Sequence, residues 1–435
     1  MSQFNRPLKA VSFAAIASAV LALTACGGGD DSPYKTLDGY QPQVIAHRGY
    51  SGMYPEQTRM AYEKAADAGA DMLELDMHMT RDCQLVARHN AWLGDNTNVA
   101  DVAKTNAEVA KRKRTTPGVK VNVKYPAIAS NGPAQYLSDQ LDPNDPKSVL
   151  KALIVDGEDH TNDWSISDFT MDELRTWIGG KILDNAADRP TDLNGKLPLI
   201  SVQDVIDIAS AKSKTLGRKI SVYAETKNPY WNNQQAIANG CGKPGSSPFE
   251  DAVLALLEKN KLNTKDSAIF LQSFDPASLK YMRKAGLKAK AVQLVDGNDI
   301  NYKDGSMGYI TTDEWTFISG RPYSWTLAGD ARTFGVMLTT AGLAEIKTYA
   351  DGIGPWKPEV VAHSVVPYKD GAGLKDVNTL KDTGLIDAAH KAGLIVHSFT
   401  FRNEAGRLAG IYKGDPVAEY LTYYRLGIDG VFTDF

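Results

Sequence analysis

The sequence predicts an α/β chain folded as a (β/α)8 TIM barrel with an insertion after the second strand, and three observations carry that reading. Short apolar runs alternate with stretches of helical pattern along most of the chain, the signature of repeated β-α units. Eight of those runs read as strands, the number a closed barrel needs. Successive strands end in His, Arg, Glu, Asp and Lys, and barrel strands carry their chemistry at that end. A doubly wound open sheet is the alternative, because a count wrong by one strand would favour it.

The elements follow in order. Val44–His47 is the first strand, and it ends in "HRGYSG", where Gly49 and Gly52 let the backbone turn sharply and approach something closely. "TRMAYEKAADAGA", Thr58 to Ala70, is a helix with Thr58 as its cap. The remaining strands are Met72–Met77, Ile220–Thr226, Ala268–Ser273, Ala291–Val295, Ala350–Ile353, Leu394–Thr400 and Gly430–Thr433. "LIDAAHKAG" is a helix before the seventh strand, with Gly393 where a helix should stop. From about residue 90 to 199 the rhythm breaks, with several Pro and Asn residues, the turn-rich "LDPNDPK" and a basic run, Lys111 to Arg114, that reads as a solvated face. That interval is too long for a simple loop and reads as an insertion. A second irregular stretch, 298–333, is rich in aromatics and glycine. In a barrel both emerge at the C-terminal rim, placed to wall a pocket.

Composition bounds the function. At 43% apolar, 23% charged and a net charge of -4, the 435 residues fit a soluble globular protein, and nucleic-acid binding has no compositional support. Arg6 and Lys9 precede an apolar run, Ala10 to Ala25, too short to span a membrane comfortably; it reads as a secretory signal. Its end, "LTAC", resembles the bacterial lipoprotein signal, which implies that Cys26 becomes the lipidated first residue and attaches the protein to the membrane. The expected organisation is therefore a signal over 1–25, a glycine-rich tether over 26–41 and the barrel over 42–435. Cys83 and Cys241 remain, too few and too far apart for a zinc cluster. An oxidising compartment allows them to pair, but spacing does not establish that they are close.

Glu74 and Asp76 are two apart on a strand and share a face. Two carboxylates buried side by side are costly unless a cation accompanies them, and Leu73, Leu75 and Met77 mark the strand as central. "QLVARHN" delivers His89, and "VYAETK" delivers Glu225 and Lys227, again on one face. Three carboxylates without thiolates favour a hard divalent cation, Ca2+ or Mg2+, over zinc. His47 and His89 suit general acid-base work, and Arg48 and Lys227 suit an anion, the guanidinium matching phosphate oxygens bidentately. The set describes phosphoryl-oxygen cleavage better than glycoside hydrolysis, which needs a carboxyl pair but no cation cluster.

"HRGYSGMYPEQT", "GADMLELDMHMTRD", "VARHN" and "YAETKNP", with "FLQSFD", "YADGIGP", "VHSFTFRNE" and "GIDGVFTDF", resemble the glycerophosphodiester phosphodiesterase family, closest to its periplasmic bacterial type, over nearly the whole mature chain. The resemblance implies hydrolysis of small-molecule glycerophosphodiesters to sn-glycerol 3-phosphate and an alcohol. It implies His47 and His89 as the acid-base pair, with Arg48 and Lys227 at the phosphate. Glu74, Asp76 and Glu225 would be metal ligands for a divalent cation, Ca2+ ahead of Mg2+, and Glu56 would support the first histidine loop. Asn90 and Gln57 depart from the family's usual Asp and Asn and are expected to lie outside the immediate site. Phe274, Trp231, Trp356 and Phe399, at or just past strand ends, are candidates for the alcohol or glycerol pocket, with Tyr230 and Asn403 as polar candidates. His397 is the best placed of the other histidines to line the site. Two rivals stand beside this reading: a related barrel phospholipase with an apolar rim from Tyr309 to Trp325, and a lipoprotein that binds phosphodiesters and would have no need of two histidines at a metal site.

Overall fold

Eight parallel strands close on themselves: β1 (Gln43–Ala46), β2 (Met72–Met79), β3 (Ser221–Thr226), β4 (Ile269–Ser273), β5 (Lys290–Val295), β6 (Gly352–Pro355), β7 (Ile395–Phe401) and β8 (Gly430–Thr433). Each pairs with the next, and β8 pairs back onto β1 from Gln43↔Gly430 to Ala46↔Thr433. Closure overturns the open-sheet alternative, since β1 has a partner on both sides. The structure, a computed structural model, describes residues 34–115, 162–182, 189–297, 320–367 and 374–435, with short strands at 120–123, 135–138, 154–155, 158–159 and 299–300 and residues 307–309. The leader and Cys26 lie outside the described residues.

All eight expected strands are present. The sixth begins at Gly352 rather than Ala350, because the Ala350 N–H still donates to Ile346 O at 2.8 Å and so closes the preceding helix. Helix α1 (Arg59–Ala68) starts as expected: Thr58 Oγ1 accepts from Ala61 N, and Gly69 ends the helix at φ +112°. Helix α2 (Val202–Leu216) follows the insertion behind a reciprocal Ser201–Asp204 cap, and helix α3 (Pro229–Ala238) follows β3.

Strand alternation sorts the core into layers. On β2, Leu73, Leu75 and Met77 face outward into the packing beneath the helices, while Met72, Glu74 and Asp76 take the other face. Ile45, Met72, Tyr223, Phe270, Val292 and Phe432 form an apolar plug in the barrel interior. The acids stand further along the same strands, toward the C-terminal mouth.

The described part of the insertion packs around a buried cluster that includes Leu93, Trp164, Phe169 and Leu174, joined by Val86 from just before it. Leu85–Ala87 runs antiparallel to β2 as its extra partner. Within the basic run Lys111 is exposed, as a solvated face requires. Arg112 instead pairs with Glu173 at 2.6 Å and lies over the Phe169 and Trp177 rings, and Arg114 pairs with Asp168 at 2.8 Å. Half of that run therefore holds this packing together. Cys83 and Cys241 are joined in a disulfide, with Cα atoms 5.6 Å apart, stapling the turn after β2 to the segment after α3. No helix among the described residues is long and apolar enough to cross a membrane.

Candidate active site

The tip of β1 is shaped by the two glycines that the sequence singles out. Gly49 sits at φ +84° against the Ala61 backbone, where a Cβ would come within 2.8 Å. A Cβ on Gly52 would meet the Phe435 ring at 2.6 Å, and Gly52 N donates to Asp434 O at 2.7 Å. The close partner is thus the C-terminus of the chain. Arg48 adopts a left-handed φ of +58° and turns its N–H onto Glu74 Oε2 at 2.7 Å.

His47 lies 2.7 Å from Asp434, Nδ1 to Oδ1. An ionised carboxylate only accepts, so Nδ1 carries the hydrogen and Nε2 is left as the reactive nitrogen. Asp434 Oδ2 accepts from Arg189 at 2.6 Å and Arg402 at 2.8 Å. Burial alone would raise the Asp434 pKa, but the His47 hydrogen bond and the two guanidiniums outweigh it and hold the carboxyl far below the usual range.

Asp76 and Glu225 face each other in register across β2 and β3, and with Glu74 they bring three buried carboxylate oxygens within 4.8 Å of one another. Burial, then the Asp76 charge, pushes Glu74 well above the ordinary carboxyl range; burial also raises Glu225. Asp76 is drawn below its ordinary value, since Lys227, Arg48 and His47 overcome its burial. Gln57, itself at φ +55°, donates to Asp76 Oδ2 at 2.5 Å and accepts from Asp76 N at 3.2 Å. Gln272 donates to Glu74 at 3.2 Å while its buried Oε1 has no partner. An all-oxygen set with mutual repulsion and an orphaned acceptor beside it fits a hard divalent cation.

Arg48 pairs with Glu56 at 2.9 Å and approaches Asp76 at 3.4 Å, and Glu56 also meets Arg88 at 3.4 Å, so Glu56 stands between two guanidiniums beside the His47–Arg48 tip. Lys227 Nζ lies 3.5 Å from Glu225, 3.9 Å from Asp76 and 3.1 Å from His89 Nε2. A lysine ammonium only donates, so His89 Nε2 accepts and its Nδ1–H donates to Asn90 Oδ1. Burial, with Arg48 and Lys227 nearby, lowers the His89 pKa well below that of a free imidazole. The His89 carbonyl accepts from His78 Nε2 at 3.0 Å, and Asn232 holds the other nitrogen of His78 at 3.0 Å.

The seven residues singled out for chemistry line one cavity of about 200 Å³, joined by Phe274, Phe399, Gln272 and Asp296. Trp231 does not reach it: it packs in a buried cluster with Ala91 and Trp92, because Asn228 and Pro229 turn the chain into α3 first. Trp356 packs near Gly297 and bridges to Phe399 instead of lining the cavity. Asn403 is exposed, and Tyr230, also exposed, lies tilted against the Tyr323 ring with centroids 5.7 Å apart. His397 sits deeper, in the barrel interior, bonded to Tyr223 Oη at 3.0 Å. Gln57 and Asn90 touch Asp76 and His89 directly, not from outside the site as expected. The expected apolar rim is not formed by its described residues: Tyr323 and Trp325 are buried and Tyr309 is half-buried, while 310–319 lie outside the described residues. Sequence reasoning missed Asp434, Gln272 and Asp296. Asp434 and Asp296 each follow a barrel strand by one residue and Gln272 is the next-to-last residue of β4, and that position was the available signal.

The class that this fold and this site define together is a TIM-barrel phosphoric diester hydrolase. Residues 47–435 match the Glycerophosphoryl diester phosphodiesterase family, and the chain belongs to that family. The chain is similar to glycerophosphodiester phosphodiesterase GDPD6 of Arabidopsis thaliana, 29% identical over 92% of this chain and 86% of that one. It is also similar to the glycerophosphodiester phosphodiesterase of Haemophilus influenzae, 24% identical over 98% and 96% of the two chains. Among solved structures it resembles an Oleispira antarctica phosphodiesterase in complex with the product sn-glycerol-3-phosphate, at 14% identity and a TM-score of 0.44 over 92% of this chain and 95% of that chain.

Proposed function

We propose that the protein hydrolyses glycerophosphodiesters to sn-glycerol 3-phosphate and an alcohol in a metal-dependent reaction, with His47 and His89 as the acid-base pair and Ca2+ as the metal ahead of Mg2+. The observation that carries this reading is the convergence, in one cavity, of three carboxylates, two imidazoles with defined tautomers and two cations. Glu74, Asp76 and Glu225 would hold the cation, which when bound offsets phosphate charge and acidifies an oxygen coordinated to it.

Arg48 and Lys227 orient the phosphate through their N–H donors. One imidazole takes, at its Nε2, the proton of the attacking group, which is either water or a glycerol hydroxyl whose cyclic phosphate water then opens. The other gives a proton to the leaving alkoxide as the old P–O bond breaks and the new one forms. Asp434 fixes the His47 tautomer and stabilises its imidazolium, and Asn90 does the first of these for His89. On this reading the protein is exported and held to the membrane by a lipid on Cys26. The leader sequence supports that location, and so does the Cys83–Cys241 disulfide, which suits an oxidising compartment.

The test is release of glycerol 3-phosphate from glycerophosphocholine by the domain from residue 42, with Ca2+, with Mg2+ and with chelator. Metal-dependent release is expected, and His47→Ala and His89→Ala should each lower kcat by about 10²- to 10⁴-fold. Substrate that binds in a metal-dependent way without turnover would favour a binding protein instead.

A further inference from the structure

Beyond Lys227 the catalytic cavity continues into a second recess of about 150 Å³. Glu225, Lys227, Phe274 and Asp296 belong to both walls, so the two spaces share a boundary. The far wall comes from the chain between β5 and β6, with Arg321, Tyr323 and Phe334. Phe274 stands edge-on to Phe334 at 6.2 Å and to Phe399 at 5.7 Å, linking the apolar sides of both spaces. A cavity of that volume holds a molecule about the size of benzene, so the recess suits a small alcohol moiety.

Arg321 is the feature that this recess does not explain by itself. It is 3% exposed, yet no carboxylate pairs with it among the described residues. Its one hydrogen bond runs from Nη1 to Asp330 O at 2.7 Å, and its buried Nε has no partner. Arg88 and Arg189, the other buried arginines among the described residues, both pair with carboxylates. Asp275 in the same wall is already engaged by Ser324 N, Ser324 Oγ and Ala277 N. The Asp330 carboxylate offsets the Arg321 charge only from a distance and is itself held by Arg332 at 2.8 Å. A buried guanidinium without a direct ion pair is costly, and the cost is relieved by an anion that arrives with the ligand.

We propose that this recess receives the alcohol moiety of the diester and that Arg321 selects an alcohol carrying an anionic group, a carboxylate or a phosphate. The proposal rests on the adjoining cavity being the phosphodiester site. Asp296, at the shared boundary and bonded only to Gly297 N at 2.9 Å, accepts from a hydroxyl or ammonium of the same moiety. An amino-acid alcohol such as serine would present both partners.

Matched substrate pairs test this. sn-Glycero-3-phosphoserine differs from sn-glycero-3-phosphoethanolamine by one carboxylate, and glycerophosphoglycerol phosphate differs from glycerophosphoglycerol by one phosphate. The ratio of kcat/KM within each pair is measured for the wild type, Arg321→Gln and Arg321→Lys. At least one anionic member should exceed its counterpart by about tenfold in the wild type, as a charge-assisted hydrogen bond predicts. Arg321→Gln should bring that ratio near one and Arg321→Lys should keep part of it; the lysine variant serves where the glutamine variant fails to fold. A wild-type ratio near one in both pairs overturns the proposal. An equal fall for every substrate also overturns it, and would put Arg321 on the phosphate common to them all. Absence of hydrolysis of all four defeats the reading of the adjoining cavity, and this one with it.

Discussion

Asp434, the penultimate residue, accepts the Nδ1 hydrogen of His47 at 2.7 Å across 387 positions of sequence. Barrel closure makes that contact, since β1 and β8 are neighbours and both end at the mouth. Asp434→Asn would retain the shape but present an amide where the tautomer and the imidazolium depend on a carboxylate. Expected is a fall in kcat of about 10²-fold or more with KM changed less than about threefold, measured by steady-state kinetics. A variant that loses stability while keeping kcat would show Asp434 to be structural, the partner of Arg189 and Arg402 alone.

Repulsion among Glu74, Asp76 and Glu225 predicts a thermal response to metal. Ca2+ at 100 times its dissociation constant would add about 2.7 kcal/mol to stability, read as a rise of a few degrees in Tm over the chelated protein. Glu225→Gln should abolish the rise. In chelator it should be about as stable as the wild type, because burial already pushes the Glu225 carboxyl up to about 8 and favours its uncharged form, which the amide resembles. A wild-type Tm unmoved by millimolar Ca2+ and Mg2+ would sink the metal site.

The disulfide closes a loop of 158 residues that contains the whole insertion. In the chain-entropy limit such a loop is worth about 5 kcal/mol. The staple joins the turn after β2, the strand that carries His78, to the segment after α3, the helix that carries Asn232, and the His78–Asn232 contact holds the His89 carbonyl. Cys83→Ser with Cys241→Ser should therefore lower the urea midpoint and reduce activity beyond what unfolding accounts for. Thiol titration of the unreduced, denatured domain from residue 42 should find no free thiol, and two would contradict the pairing.

Strands and acids were legible in the sequence because period-two alternation fixes both at once: Leu73 and Leu75 outward oblige Glu74 and Asp76 inward. Gln57 and Asn90 were misjudged for a different reason. Each sits in a loop whose path is set by left-handed residues and distant contacts, Gln57 by its own φ of +55° and Asn90 by a β2 partner strand that periodicity does not reveal. Trp231 was misplaced because being just past a strand end gives no direction once a helix begins at Pro229. Arg321 carried no motif, and its burial without a direct ion pair among the described residues is a property of three dimensions alone.

The last prediction concerns acid stability and a residue outside the site. His397 is buried in the barrel interior on Tyr223 Oη, and burial pushes its pKa down to about 4. In the unfolded chain the same imidazole titrates near 6.5, so between those values the unfolded state binds a proton that the folded state lacks. Stability is therefore full above pH 6.5 and falls as the pH drops toward 4, by up to ~3 kcal/mol for this one residue. His78 and His363, also held near 4 by burial, add to the loss over the same window. His397→Gln should be somewhat less stable at pH 8, where Tyr223 loses a well-placed partner. Its unfolding free energy, from urea titrations between pH 4.5 and 8, should nevertheless decline more shallowly with acid than the wild type's. Parallel declines would mean that His397 takes up its proton without unfolding the barrel, and that the interior around Tyr223 and Phe270 is open to water.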